Sequence, residues 1–280
     1  MKEDLVDLGL HNRVALVAGG SSGLGLAAAR ELAAEGADVA IGARDPERLA
    51  AAGRELKEVA RGRVHATSVD IRDPAAVGRW VDEVAADFGA LHVVVVNGAG
   101  PPIGTADQFD LPEYRAALDE VLLPAVSLAL AALPHLKAAG WGRLLFITSE
   151  TAAVPVAPLA LSGVTRAAIV RFAQSLAAEV GRDGITVNVL APGITRTPPE
   201  ERAAARLARD GDVEAQLRLI GSHNALGRLA QPDEVAAVIA FLAGERASFV
   251  TGTVQLIDGG ASVTPPPLPH LTAVRKDTFT

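Results

Sequence analysis

Short runs of β-branched and apolar residues alternate along the chain with longer Ala/Leu-rich segments. That alternation predicts parallel strands joined by crossover helices, with both faces of the sheet covered. The predicted strands are Val14–Val17, Val39–Ile41, Val64–Val69, His92–Val96, Leu144–Ile147, Ile185–Leu190 and Val254–Ile257. The run His92-Val93-Val94-Val95-Val96 is apolar on both faces apart from His92, as a central strand requires. Helices are predicted over Leu24–Glu35, Pro46–Ala60, Pro74–Phe88, Pro112–Ala139, Leu159–Val180 and Pro232–Ala243, three of them opening at or near Asp-Pro, a pairing of N-cap and first helical residue. Pro124 lies inside Pro112–Ala139, so that helix is expected to bend near Val121 with the Glu120 carbonyl freed. The expected fold is α/β: a doubly wound, seven-stranded parallel sheet in one domain over residues 1–262. Residues 198–222, polar and helical in composition, are expected to form a lid over the strand ends. The tail 263–280 contains Pro265-Pro266-Pro267-Leu268-Pro269 and is expected to be either disordered or packed on a partner subunit.

With 280 residues, 49% of them hydrophobic, the chain can bury a core without a disulfide or metal staple. It contains no cysteine, which excludes disulfide scaffolds, thiolate zinc sites and cysteine nucleophiles. Its 26 basic and 33 acidic side chains give a net charge of −7 with no Lys/Arg block, which argues against nucleic acid as a partner. The opening MKEDLVDLGLHNR carries charges where a signal peptide needs an apolar run, and no later stretch reaches roughly 18 uncharged apolar residues. A cytoplasmic protein without a membrane partner is therefore expected. His11, His65, His92, His135, His223 and His270 never fall at metal-ligand spacing, so no catalytic metal is expected. His223 reads either as a substrate-facing residue or as a solvated one, and Trp80 and Trp141 read as packing residues.

Candidate chemistry begins directly after the first strand. Glycines at Gly19, Gly23 and Gly25, with Ser21, Ser22 and Leu24 between them, allow a tight turn, close approach of backbone N–H groups to a pyrophosphate, and a helix N-terminus facing the anion. A glycine-rich turn that binds nothing is the competing reading. The second strand ends Gly42-Ala43-Arg44-Asp45: an Arg in place of the carboxylate that would hold a ribose 2′-OH favours NADP(H) over NAD(H). Against this, Arg44 can also be a surface residue paired with Asp45 or Glu47.

Four motifs fall in order at strand ends: Gly19-(x)3-Gly23-Leu24-Gly25, Asp70-Ile71, Asn97-Gly98-Ala99-Gly100, and Asn188-Val189-Leu190-Ala191-Pro192-Gly193-(x)3-Thr197. In this the chain resembles the short-chain dehydrogenase/reductase superfamily from about residue 10 to residue 262. The resemblance implies that Asp70 and Ile71 flank an adenine and that Asn97, Gly98 and Ala99 line the adenosine side. It also implies that the stretch Pro192, Gly193, Thr195 and Thr197 holds the nicotinamide carboxamide and phosphates. Equivalent helices join subunits in that superfamily, which implies a homodimer or homotetramer through Pro112–Ala139 and Leu159–Val180.

The catalytic end departs from that pattern. Superfamily members place a tyrosine thirteen residues after a serine and a lysine four residues beyond it, with an asparagine in the preceding helix. Ser149 supplies the serine here, but the counting reaches Ser162 and Arg166, and the asparagine position falls on Val121. The single tyrosine, Tyr114, lies upstream. A serine hydroxyl and a permanently charged guanidinium do not reproduce a tyrosine-lysine proton carrier. They can still polarise a carbonyl, since Ser162 and Arg166 share one helix face. A branch of the superfamily labelled as 3-oxoacyl carrier-protein reductase-like carries a similar Ser-x-x-x-Arg. Glu150 is the nearest ionisable side chain, reading either as an acid for the site or as a rim carboxylate in water. Three functions stay open: an oxidoreductase acting on a small-molecule carbonyl or alcohol, a non-redox lyase, cyclase or isomerase reusing the pocket, and a nucleotide-binding protein without chemistry.

Overall fold

The computed structural model describes residues 7–264, so the proline-rich tail lies outside the described residues. Seven strands, β1 (Val14–Ala18), β2 (Asp38–Ala43), β3 (Val64–Ser68), β4 (Val93–Val96), β5 (Gly142–Ile147), β6 (Ile185–Pro192) and β7 (Val254–Ile257), form one sheet in the order β3-β2-β1-β4-β5-β6-β7. Every adjacent pair is parallel. Side chains alternate across the central strands and thereby divide the interior into two apolar layers. Val14 and Leu16 of β1, Val94 and Val96 of β4, and Leu144 and Phe146 of β5 face α3 (Pro74–Phe88), α5 (Leu123–Ala139) and α6 (Ala160–Val180). Ala15, Val17, Val93, Val95, Leu145 and Ile147 face α1 (Gly23–Ala34), α2 (Pro46–Val59) and α9 (Pro232–Ala243). This is why a run of four valines in β4 is buried on both sides.

The chain winds outward from β1 in one direction and from β4 in the other. The reversal opens a crevice beyond the carboxyl ends of these two strands, where open parallel sheets place their ligands. Aspartates start the helices that flank it. Asp45 accepts from the N–H groups of Glu47 and Arg48, and Asp73 from those of Ala75 and Ala76.

The predicted helix over residues 112–139 is continuous but widened midway. It consists of α4 (Leu111–Ala117), a π turn over Leu118–Leu122, and α5. Pro124 is the cause, because it lacks an N–H in the first turn of α5, and the Leu123 N–H reaches back to the Leu118 carbonyl in a wide turn. Val121 lies in that turn, so the bend falls where the sequence placed it, as a wide turn rather than a simple kink. The span Leu111–Ala139 is also long and apolar enough to cross a membrane by length and composition alone, although Glu120 and Lys137 bound its uncharged run. Here Ala125, Leu128, Ala129, Ala132 and Leu136 pack into the layer beside the sheet, while Leu123 and Leu130 stay exposed.

Residues 198–222 form α7 (Pro198–Leu207) and α8 (Val213–Gly221), held together by a small core of Ala204, Leu217 and Leu229. Arg196 bonds Glu201 at 2.9 Å and Glu214 at 2.5 Å, anchoring both helices to the end of β6. Trp80 is buried in the core, and Trp141 lies between the Arg13 and Arg143 guanidinium groups.

Candidate active site

Where β1 ends, the backbone turns at Gly19 with φ +63°, and a Cβ there would stand 2.5 Å from the Asn97 amide nitrogen. A Cβ on Gly25 would overlap the Gly19 carbonyl oxygen. Both positions therefore demand glycine, one for backbone angle and both for space. Asn97 Nδ2 donates to that carbonyl at 3.5 Å, tying the loop after β4 to the loop after β1. At the start of α1, the Ser22 side chain makes no capping bond and the first turn holds no acidic residue. Its N–H groups and the positive end of the helix dipole are left for an external anion.

A cleft of about 860 Å³ opens over this turn. Of the sequence-predicted residues, Gly19, Ser21, Ser22, Gly23 and Leu24 line it from β1 and α1, Arg44 from β2, Asp70 and Ile71 from β3, Asn97, Gly98 and Ala99 from β4, and Thr197 from the start of α7. Gly25, Pro192, Gly193 and Thr195 lie off its wall. Gly25 is buried in the α1 packing and Pro192 ends β6. The Gly193 N–H is taken by the Ile257 carbonyl, and the Thr195 hydroxyl donates to the Gly193 carbonyl at 3.0 Å.

Sequence reasoning missed three further cations on the cleft wall: Arg48, Arg72 and Arg202. Arg48 sits in the first turn of α2 and Arg72 two residues past Asp70, positions that only the folded loops bring together. Arg44 is exposed and, among the described residues, has no carboxylate within ion-pair distance. Its expected alternative partner Asp45 instead caps α2 and bonds Arg48 Nε at 2.6 Å. Asp70 is held by Arg72 at 2.7 and 3.0 Å, and these bonds keep its carboxyl below the usual range.

The second cluster stands at the end of β5. Ser149 caps a short turn over Glu150–Ala152, its Oγ accepting from the Thr151 N–H at 3.3 Å. Ser162, in the first turn of α6, shares a 2.9 Å hydrogen bond with Thr151 Oγ1, and Arg166 Nε donates to Ser162 Oγ at 3.2 Å. Arg166 Nη1 also reaches the Ile147 carbonyl at 3.5 Å. The two serines are therefore not bonded to each other; Thr151, absent from the sequence reading, links them. Its signal was a further hydroxyl residue two positions past Ser149, just beyond the end of β5. Among the described residues Arg166 meets no carboxylate, and burial pulls its pKa down to about 10, so it remains a cation at neutral pH. It lines a cavity of about 20 Å³, room for one water, beside Val121 and Pro124, whose other walls include Asn97, Gly98 and Ala99 of the large cleft.

Glu150 is not a rim carboxylate. It is 7% exposed, its Oε2 has no hydrogen-bond partner among the described residues, and a Cβ on Gly193 would stand 3.1 Å from that oxygen. Burial, reinforced by the Asp258 charge, pushes its pKa up. Burial also raises Asp258, but hydrogen bonds from Ser262 and Gly260 outweigh it and hold that carboxyl low. Tyr114 spends its hydroxyl on the Ala106 carbonyl, and His223 is exposed.

A family model described as enoyl-(acyl carrier protein) reductase matches residues 18–262. The chain is 36% identical over 251 residues to cis-4-hydroxycyclohexanecarboxylate dehydrogenase of Sinomonas cyclohexanicum, covering 89% of this chain and 96% of that one. It is 33% identical over 252 residues to 3-alpha-(or 20-beta)-hydroxysteroid dehydrogenase of Mycobacterium tuberculosis, covering 90% of each. Among solved structures, L-sorbose reductase from Gluconobacter frateurii complexed with NADPH and L-sorbose is similar at a TM-score of 0.88 and 33% identity, covering 93% of this chain and 100% of that one.

Proposed function

Because the chain belongs to the short-chain dehydrogenase/reductase superfamily of oxidoreductases, we propose that it interconverts a carbonyl and an alcohol on a small molecule with NADP(H), using Ser149, Ser162 and Arg166 to orient and polarise the reacting oxygen. The observation that carries this reading is Arg166, a cation with no carboxylate partner among the described residues, which donates into Ser162 and lines a small cavity with Asn97, Gly98 and Ala99 of the cleft wall. A dinucleotide suits the residues present. Asn97 and the Gly19 carbonyl fill the space that a Cβ at Gly19 or Gly25 would need, which fixes the turn, and the first turn of α1 leaves its N–H groups to an anion. The cleft volume falls within the ~300–1,000 Å³ range of ligand sites. Arg44, with Arg48 and Arg72 close by on the same wall, would meet a ribose 2′-phosphate, and Arg166 would meet the nicotinamide ribose. Bound nicotinamide supplies or accepts the hydride.

This chain's own residues act on the substrate oxygen. Hydroxyl donors from Ser149 and Ser162 polarise a carbonyl, and the fixed charge of Arg166 stabilises negative charge as it develops on that oxygen. At pH 7 the guanidinium gives up no proton, so Arg166 acts through charge and hydrogen bonding rather than as an acid, and the proton that completes the alcohol, or leaves it in the reverse direction, is exchanged with water. The exposed apolar side chains Leu123 and Leu130 of α5 and Val164 of α6 support a homodimer or homotetramer built on those helices. A turnover panel of cyclic and sugar ketones and alcohols, including cis-4-hydroxycyclohexanecarboxylate and L-sorbose, tests the reading through nicotinamide absorbance. Turnover faster with NADPH than NADH is the expected result. The absence of tyrosine and lysine from the Ser162–Arg166 pair favours one second reading, a non-redox enzyme, whose signature is product formation with no change in that absorbance.

A further inference from the structure

Resting on the oxidoreductase reading above, we propose that Thr151 is a positioning residue that aims the hydroxyl proton of Ser162 at the reacting oxygen. A hydroxyl has one proton to give and two lone pairs to fill. Among the described residues Ser162 Oγ has two partners: Arg166 Nε at 3.2 Å, which can only donate, and Thr151 Oγ1 at 2.9 Å. The Thr151 hydroxyl has no described partner other than Ser162, and Thr151 is 4% exposed against 9% for Ser162. Two hydroxyl protons thus compete for one bond, and one of them must be left without a protein acceptor.

If Ser162 donated, the spare proton would sit on the more deeply buried Thr151, sealed from water with nothing to accept it, the costly arrangement. With Thr151 donating, both Ser162 lone pairs are filled by donors, and the spare proton belongs to Ser162. That proton is the one free to bind an oxygen arriving from outside the protein. Thr151 also donates its backbone N–H to Ser149 Oγ at 3.3 Å, so one residue sets the direction of both serines. Neither serine's own proton then has an acceptor among the described residues, and a substrate oxygen can take both.

Thr151→Val removes the donor and keeps the shape, and Thr151→Ser keeps the donor. With 4-oxocyclohexanecarboxylate and NADPH as the probes, Thr151→Val is expected to lower kcat roughly tenfold while KM and NADPH affinity stay within about twofold. Thr151→Ser is expected to recover kcat to within about threefold of wild type. Wild-type kcat in Thr151→Val, or Thr151→Ser as impaired as Thr151→Val, overturns the proposal. Neutron diffraction of perdeuterated wild-type crystals decides it without any substrate: deuterium on Thr151 Oγ1 directed at Ser162 supports it, and deuterium on Ser162 directed at Thr151 overturns it. Failure of every substrate in the wild-type panel would instead defeat the oxidoreductase reading, with the neutron map still deciding the direction of this bond.

Discussion

Replacing Arg166 with Met separates chemistry from stability, because the two respond in opposite directions. The guanidinium donates one bond to Ser162 at 3.2 Å and one long bond to the Ile147 carbonyl at 3.5 Å, and meets no carboxylate among the described residues. A hydrogen bond to a charged group is worth about 1.5–3 kcal/mol, and each 1.36 kcal/mol in a barrier is tenfold in rate. If the bond to Ser162 strengthens as charge develops on the substrate oxygen, Arg166→Met should lower kcat roughly ten- to hundredfold. The folded state loses little. A desolvated cation without a counter-ion opposes folding, and an unbranched apolar side chain of similar length fills its place, so Tm should hold or rise by about 2 °C. The assay pairs steady-state kinetics with thermal unfolding of the same preparations. An unchanged kcat, or a Tm lowered by several degrees together with lost activity, would refute this reasoning and make Arg166 a structural residue.

Arg44→Ala should weaken NADPH binding roughly ten- to hundredfold and leave NADH binding within about twofold, read by calorimetric titration of both, because only one of the two carries a 2′-phosphate for the guanidinium to meet. Glu150 holds its proton to higher pH in the folded chain than in the unfolded one. Between those two pKa values the folded state binds more protons, so this group's contribution to stability falls as pH rises through that window. Glu150→Gln should therefore raise Tm by about 2 °C at neutral pH, with the gain vanishing below the ordinary glutamate range near ~4.3, in a pH series of thermal melts. If the proposed subunit contact lies on α5, Leu130→Glu, which places a charge on its exposed apolar side, should shift the protein to a smaller species in sedimentation velocity; an unchanged species would count against that contact.

Much of the fold was legible in the sequence because the strands are short apolar runs buried on both faces, and their ends coincide with glycine, asparagine and aspartate. Val93–Val96 and Val14–Val17 have no other stable place than the middle of a covered parallel sheet. Gly19 and Gly25 were readable for a related reason: the turn they make tolerates no side chain. The form of the bend at residues 118–122 was not readable, since proline reveals a missing donor and not whether the turn tightens or widens. Arg48 and Arg72 escaped because their roles depend on loops from different strands meeting at one end of the sheet, and Thr151 because its spacing does not say that its hydroxyl turns inward to Ser162. Glu150 misled for the same reason. Its neighbour Ser149 lies at a strand end, yet its own side chain turns inward against Gly193.

The central claim is that an intact nucleotide cradle sits beside a polarising array from which the usual phenol and amine are missing. A crystal structure of this protein grown with NADPH tests it most directly. The account predicts pyrophosphate density over the Gly19–Leu24 turn, the 2′-phosphate against Arg44, and the nicotinamide ribose within reach of Arg166. A dinucleotide lying elsewhere, or a turn that stays empty at saturating NADPH, would contradict it.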